Sequence, residues 1–261
     1  MRPIKDIQEL RSIQMAILDN VHQFCEQQHL RYFLSSGTLI GAVRHKGYIP
    51  WDDDIDIYMP RADYERFLKC YQDPQGFFKV IDPNHETDYY YTFAKVIDTR
   101  TLMIENETKG FEIGVYMDIF PIDYVTDDLK ERERIFKRKR LLYKIRRCKI
   151  SKQNPLYSRL AYLCYRSLPI SNQAINRMIR KLIVREEPTA TVCNMTEAGP
   201  SIKGCFPAED IASSVDILFE GKLYKTMSGY HDYLERTYGD YMQLPPEDQR
   251  VTHHFEAYWL D

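Results

Sequence analysis

The sequence predicts an α/β (α+β) fold, a mixed β-sheet flanked by helices and interrupted by a basic helical insertion. Stretches that alternate with a period of two, such as "DIDIYM" and "GVYMDIF", are interleaved with stretches whose apolar residues recur every three or four positions. Runs of Gly, Ser, Thr and Pro punctuate them. The charges are also sorted: residues 130–185 hold 7 Lys and 11 Arg against Glu131 and Glu133, so a chain of net charge −2 carries +16 there and −18 elsewhere.

Taken in order, Ile4, Ile7, Leu10, Ile17, Val21 and Phe24 trace one buried stripe of an opening helix over 4–28. "RYFLSSGTLIGAVRHKG" reads as a strand at 32–34, a Ser-Ser-Gly-Thr turn and a helix over 38–45. Pro50 and Pro60 bracket a strand at 55–59. "DYERFLKCY" is helical, and strands follow at "FFKVI", at "YYTFAKVID" and "TLMIEN" joined by Thr99-Arg100, and at "GVYMDIF". From 127 to 150 the chain reads as a basic rod with a thin apolar seam at Leu129, Phe136, Tyr143 and Ile150. Residues 156–184 continue as helix, broken at "LPISN". "VDILFEGKLYKTM" is a hairpin about Glu220-Gly221, and "SGYHDYLERTYGD" a helix that Ser228 caps and Gly239 ends. The expected organisation is a catalytic core (1–125), the basic insertion (126–187) and a segment completing the core (188–261).

At 261 residues and 44% apolar content the chain can bury a substantial core. No run approaches the roughly 18 uncharged residues of a membrane span. The amino terminus "MRPIKDIQEL" is charged and lacks a signal peptide's apolar core. Six scattered cysteines without a CxxC pair read as free thiols. Together these lead to the expectation of a cytoplasmic protein.

The stretch "GYIPWDDDIDIYMP" holds the chemistry. In a strand, Asp54 and Asp56 share a face, about 6.6 Å apart at Cα, while Ile55 and Ile57 enter the core. Two unpaired carboxylates so close would force one to take up a proton, and a hard divalent cation resolves this. Alternation places Asp118 with Tyr116 and Phe120, a third acid for a neighbouring strand. An EF-hand is excluded, because Ile57 and Asp63 stand where that loop needs Gly and Glu. Gly37 and Thr38, between strand and helix, suit a phosphate-facing turn.

A Gly-Thr turn followed some 17 residues later by an alternating acid strand matches the two-part signature of the nucleotidyltransferase fold. The run "SSGTLIGAVRHKGYIPWDDDIDIYMPRADYERF" closely resembles the LicD family, related to the fukutin-type phosphotransferases. The similarity continues through "FAKVIDTRT", "MDIFPID", "FEGKLY" and "YLERTYGDYMQLPP", leaving out the basic insertion. It implies transfer of a phospho-alcohol, phosphocholine foremost, from CDP-choline or another CDP-alcohol to a hydroxyl of a glycan or lipid-linked glycan, with Mg2+ (or Mn2+) as cofactor. By motif position, Asp54, Asp56 and Asp118 become metal ligands, and Gly37 and Thr38 the phosphate turn. Arg44, Lys46 and Lys95 are read either as neutralising the pyrophosphate or as surface cations. Asp52 is the candidate base or a support for the metal ligands, and Asp53 a cap or solvent-facing residue. His253 and His254 are read as structural. Trp51, Tyr58 and "DYYYTF" offer aromatic faces for a quaternary ammonium.

Two other readings stay open: transfer of a nucleotide from a nucleoside triphosphate by the same carboxylates, and a scaffold acting through its basic helices. The basic 130–185 region is either a solvated face or a surface for the inner face of a membrane or an anionic substrate. Nucleic acid is set aside, since no binding motif accompanies the charge.

Overall fold

The computed structural model describes residues 1–84, 89, 91–104, 112–150, 159–196, 204–250 and 255–260. Strand β1 (Arg2–Ile4) leads into α1 (Ile7–Gln28), whose first turn is capped by Asp6 accepting from the Gln8 N–H at 2.9 Å. Then come β2 (Phe33–Leu34), α2 (Ser36–His45), β3 (Asp56–Pro60) and α3 (Arg61–Cys70). Strands β4 (Phe78–Ile81), β5 (Ala94–Asp98), β6 (Thr101–Ile104), β7 (Glu112–Ile113) and β8 (Tyr116–Val125) follow. The basic segment forms α4 (Leu129–Ile150), α5 (Arg159–Arg166) and α6 (Asn172–Ile183). The chain closes with β9 (Thr191–Asn194), β10 (Cys205–Pro207), β11 (Ser214–Phe219), β12 (Lys222–Met227), α7 (Tyr230–Tyr238) and β13 (Glu256–Trp259).

The main sheet is mixed, as predicted. Its described strands run β10-β9-β8-β3-β2, with β5 joining β8 and β4 joining β5. Strands β3 and β8 are parallel and the other pairs antiparallel. Helices α1 and α3 pack on β8. The core takes Leu10, Ile17 and Val21 from α1, Ile55 and Ile57 around β3, and Met117 and Ile119 from β8. The Thr99-Arg100 turn carries the chain out of this sheet into a second one, β1-β13-β6-β7. The predicted hairpin is β11 and β12, turning at Glu220 (φ 47°) and Gly221 (φ 77°), the paired positive φ of a tight hairpin turn. Gly239 ends α7 as expected, at φ 71°, but Gly229 rather than Ser228 is its N-cap residue. The Ser228 hydroxyl faces the Asp210 carbonyl instead.

The basic rod departs most from its prediction. Phe136 and Tyr143 are buried, as the apolar seam requires, but Leu129 is 61% exposed. The buried face instead includes Arg132, Lys139 and Arg146, also seven residues apart. Arg132 Nε donates to the Thr126 carbonyl at 2.9 Å and Nη2 to Thr191 Oγ1 at 3.2 Å. Arg146 donates to Asn176 Oδ1 at 2.7 Å, to the Tyr91 carbonyl at 3.0 Å and to the Tyr89 carbonyl. The Lys139 ammonium lies between the rings of Phe136 and Tyr143, 5.1 and 5.4 Å from their centroids. Buried cations supplied with acceptors and ring faces hold α4 against the sheet, where Val125, Cys193 and Met195 join a second apolar cluster with Ile175, Ile179 and Ile183. No helix among the described residues is long and apolar enough to cross a membrane.

Candidate active site

The aspartate stretch is extended, but its regular strand begins only at Asp56. Alternation nevertheless continues backwards: Asp53, Ile55 and Ile57 are buried, while Asp52, Asp54 and Asp56 are half-exposed. This corrects the expectation for Asp53. It is buried instead of facing solvent, its carboxylate stays beside those of Asp52 and Asp54, and its carbonyl accepts from Gln14 Nε2 at 2.7 Å.

Helix α1 fixes this segment from below. Arg11 Nη2 donates to the carbonyls of Ile49 (3.0 Å), Pro50 (3.0 Å) and Asp52 (2.7 Å), and its guanidinium stacks 4.6 Å from the Tyr48 ring. From the other side, Glu220 at the hairpin turn accepts the Tyr48 N–H at 2.9 Å and donates its own N–H to the Lys46 carbonyl. None of these clamps was anticipated. The signal for Gln14 was a polar residue one turn from Leu10 and Ile17, inside the apolar stripe of α1.

The turn and the acids meet at the start of α2. Gly37 and Thr38 lie within its first turn, two positions further into the helix than predicted. A Cβ on Gly37 would stand 2.6 Å from Asp52 Oδ2, so the missing side chain is the room the carboxylate occupies. Thr38 Oγ1 accepts the Asp56 N–H at 2.9 Å and keeps its own proton to donate. Ser36 holds a left-handed φ of 49°, a strained value for a residue with a side chain. Ser35, the N-cap residue, is fully buried, makes no side-chain cap bond, and its hydroxyl has no partner among the described residues. A helix N-terminus beside an unpartnered buried hydroxyl suits an oxyanion. Gly37→Ala is expected to push Asp52 aside and lower turnover by about 100-fold, the scale of a 1 Å misplacement, with little change in melting temperature. Steady-state rates beside a melting curve check this, and an unchanged rate would show that Asp52 is not held for the chemistry.

Across the sheet, Asp56 on β3 and Asp118 on β8 are register partners, and Lys95 on β5 is the register partner of Asp118. The Lys95 ammonium, buried, meets Asp118 Oδ1 at 2.6 Å and lies 3.3 and 4.2 Å from the ring centroids of Tyr116 and Tyr91. Lys95 is therefore an interior cation attached to the third acid, not a surface one. Asp52, Asp53 and Asp54 each bring a carboxylate oxygen within 4.8 Å of the others, a group that shares only Asp54 with the predicted ligand set of Asp54, Asp56 and Asp118. The donors are carboxylates throughout, the hard oxygen ligands magnesium takes, and the unpartnered Ser35 hydroxyl marks the anion side, so the residues present fit a metal-bound phosphate.

The remaining predicted residues are spread out. Arg44 and Lys46 stand at the far end of α2, roughly 10 Å along the axis from Gly37 at 1.5 Å per residue. Arg44 donates to the carbonyls of Tyr241 (2.7 Å) and Gln243 (3.2 Å), tying down the loop after α7. Burial lowers the Arg44 pKa, with Arg250 adding to the effect; burial and then Arg44 lower that of His45. Trp51 lines a groove of about 430 Å³ with Ile40, Arg44, Tyr238 and Tyr241, and Arg250 lies 5.3 Å from its ring centroid. Tyr58 is packed in the core against Phe120 and Tyr233, so its ring is not a ligand face. His253, His254, Asp88 and Tyr90 lie outside the described residues.

Residues 29–157 match the family described as "LicD/FKTN/FKRP, nucleotidyltransferase domain". Over 266 aligned residues, covering 97% of this chain and 98% of the relative, the sequence is 32% identical to the lipopolysaccharide cholinephosphotransferase LicD of Haemophilus influenzae. The chain belongs to the LicD family. The chain is also 37% identical over 110 residues to an uncharacterised protein of Rickettsia typhi, covering 41% of this chain and 33% of that one. A Rickettsia prowazekii protein, also uncharacterised, is 43% identical over 47 residues, 18% of each chain.

Proposed function

We propose that this LicD protein transfers phosphocholine from CDP-choline to a hydroxyl of lipopolysaccharide or its precursor glycan, releasing CMP. The observation that carries the reading is the end-to-end similarity to the Haemophilus cholinephosphotransferase. The site agrees with it, because phosphoryl transfer is mostly positioning and charge neutralisation.

In this reading the α2 N-terminus, with Gly37, Thr38 and Ser35, receives the phosphate oxygens. The acceptor hydroxyl attacks the phosphorus bearing choline; a bond forms to that oxygen and the bond to the CMP oxygen breaks. Asp52, held against Gly37, takes the hydroxyl proton. CMP departs with the bonding electrons as a phosphate monoester. Asp54, Asp56 and Asp118 would hold magnesium, which supplies neutralisation of the phosphate charge when bound. Lys95 orients Asp118 through their 2.6 Å contact, and the Trp51 groove gives room for substrate beyond the phosphates.

The test is incubation with CDP-choline, CDP-ribitol or CDP-glycerol, magnesium and a lipopolysaccharide acceptor. Release of CMP from CDP-choline with choline found on the acceptor is the expected result. Pyrophosphate release from a nucleoside triphosphate, with no CMP from any CDP-alcohol, would replace this reading by nucleotidyl transfer.

A further inference from the structure

Helix α5 half-buries one side and leaves apolar residues exposed on the other. Leu168, just beyond it, and Tyr165 pack toward the second apolar cluster, whereas Leu160 is 74% and Leu163 60% exposed. Spacing of three residues puts both leucines on one side of the helix, with the exposed Cys164 beside them. The neighbouring helices repeat the pattern. Leu141 on α4 and Met178 on α6 are exposed, each one turn from an exposed cation: Lys137 and Arg138 before Leu141, Lys181 after Met178. Arg166 stands in the same relation to Leu163. The Lys149 ammonium, donating to the Leu168 carbonyl at 2.6 Å, anchors α5 to α4, so the leucines are presented from a fixed base.

Exposed leucines among cations are the composition of a helix lying in a membrane interface, where apolar side chains enter the headgroup region and lysine and arginine meet anionic lipid. The charge distribution agrees: residues 130–185 carry +16, only three of their described cations (Arg132, Lys139 and Arg146) being buried, and are attracted to an anionic surface, whereas the −18 of the remainder is repelled, which orients the molecule. We infer that α5, flanked by α4 and α6, docks the protein on an anionic lipid bilayer through Leu160 and Leu163. The inference deepens the proposed transfer by naming where a lipid-linked acceptor is met, and binding to lipid needs no turnover, so either can fail alone.

The full chain is sedimented with vesicles of phosphatidylcholine alone and with vesicles containing phosphatidylglycerol, at low and high salt. Binding to the anionic vesicles at least ten times tighter, weakened by salt, is the expected result for the wild-type chain. The double variant Leu160→Glu, Leu163→Glu should lose at least tenfold of that binding while its circular dichroism spectrum is unchanged. Leu160→Ala, Leu163→Ala, which adds no charge, should lose severalfold and keeps the test valid should the glutamates unfold α5. Equal binding by wild type and both variants would show attraction through charge alone, without the leucines, and overturn the inference. Absence of wild-type binding to either vesicle would overturn it as well.

Discussion

Asp56→Asn is expected to reduce choline transfer by about 1,000-fold or more, the scale lost when a group stabilising phosphoryl charge is removed. The substitution keeps the shape of the side chain and leaves two backbone bonds at this residue untouched. Its N–H still donates to Thr38 Oγ1, and its carbonyl still accepts the Ser35 N–H at 3.1 Å. What it removes is one negative charge next to Asp118, its register partner on β8. The melting temperature should therefore stay within a few degrees while CMP release collapses. A variant that retained more than a tenth of wild-type turnover would take Asp56 out of the reaction, and a metal ion would have to be held by the Asp52 to Asp54 cluster alone.

The second large effect is on stability. Asp123, on β8, accepts two parallel bonds from Arg61 at the start of α3, Nε to Oδ1 and Nη2 to Oδ2, both 2.6 Å. Its carboxylate is 1% exposed and the guanidinium 15%. Burial works against the charge on Arg61, and Asp123 more than reverses it, raising the guanidinium pKa. Glu65 continues the network, pairing with Arg61 on its own helix and with Arg180 on α6. Asp123→Ala leaves a cation in the interior with its main partner gone, which costs about 3 to 5 kcal/mol. In a chain of this size that lowers the melting temperature by roughly 10 °C. Replacing both partners with leucine should recover most of the loss, because the expensive state is the unpaired charge. If Asp123→Ala melted within 2 °C of wild type, the pair would contribute nothing and the α3 contact would rest on packing alone.

Periodicity made the centre of the site readable. The alternation around Ile55 and Ile57 and the placing of Asp118 on a strand neighbouring that of Asp56 follow from where strands put successive side chains, whereas the approach of Gly37 to Asp52 was not foreseen. The burial of Asp53 was not readable in this way. It was obscured because an aspartate is ordinarily exposed, and the Gln14 side chain holding its backbone lies 39 residues away. Lys95 was recognisable as a site residue from its motif but not as an interior one, since burying an ammonium requires an acid and ring faces supplied by another strand and a loop. The basic rod misled for the same reason. Arginine and lysine every seventh position look solvated until the acceptors are known, and these come from Thr126, Thr191, Asn176 and the backbone at 89 and 91.

Those acceptors set how α4 sits. A helix docked by leucines alone can slide by a turn against a greasy surface at modest cost, whereas one whose buried arginines reach named oxygens has a single resting position, much as one polar residue fixes the register of a coiled coil. A chimaera that took α4 to α6 from another family member would import cations spaced for different oxygens. Such a graft succeeds only when β9 and the chain around Tyr89 and Tyr91 travel with the helices, which makes these separated stretches one unit of inheritance.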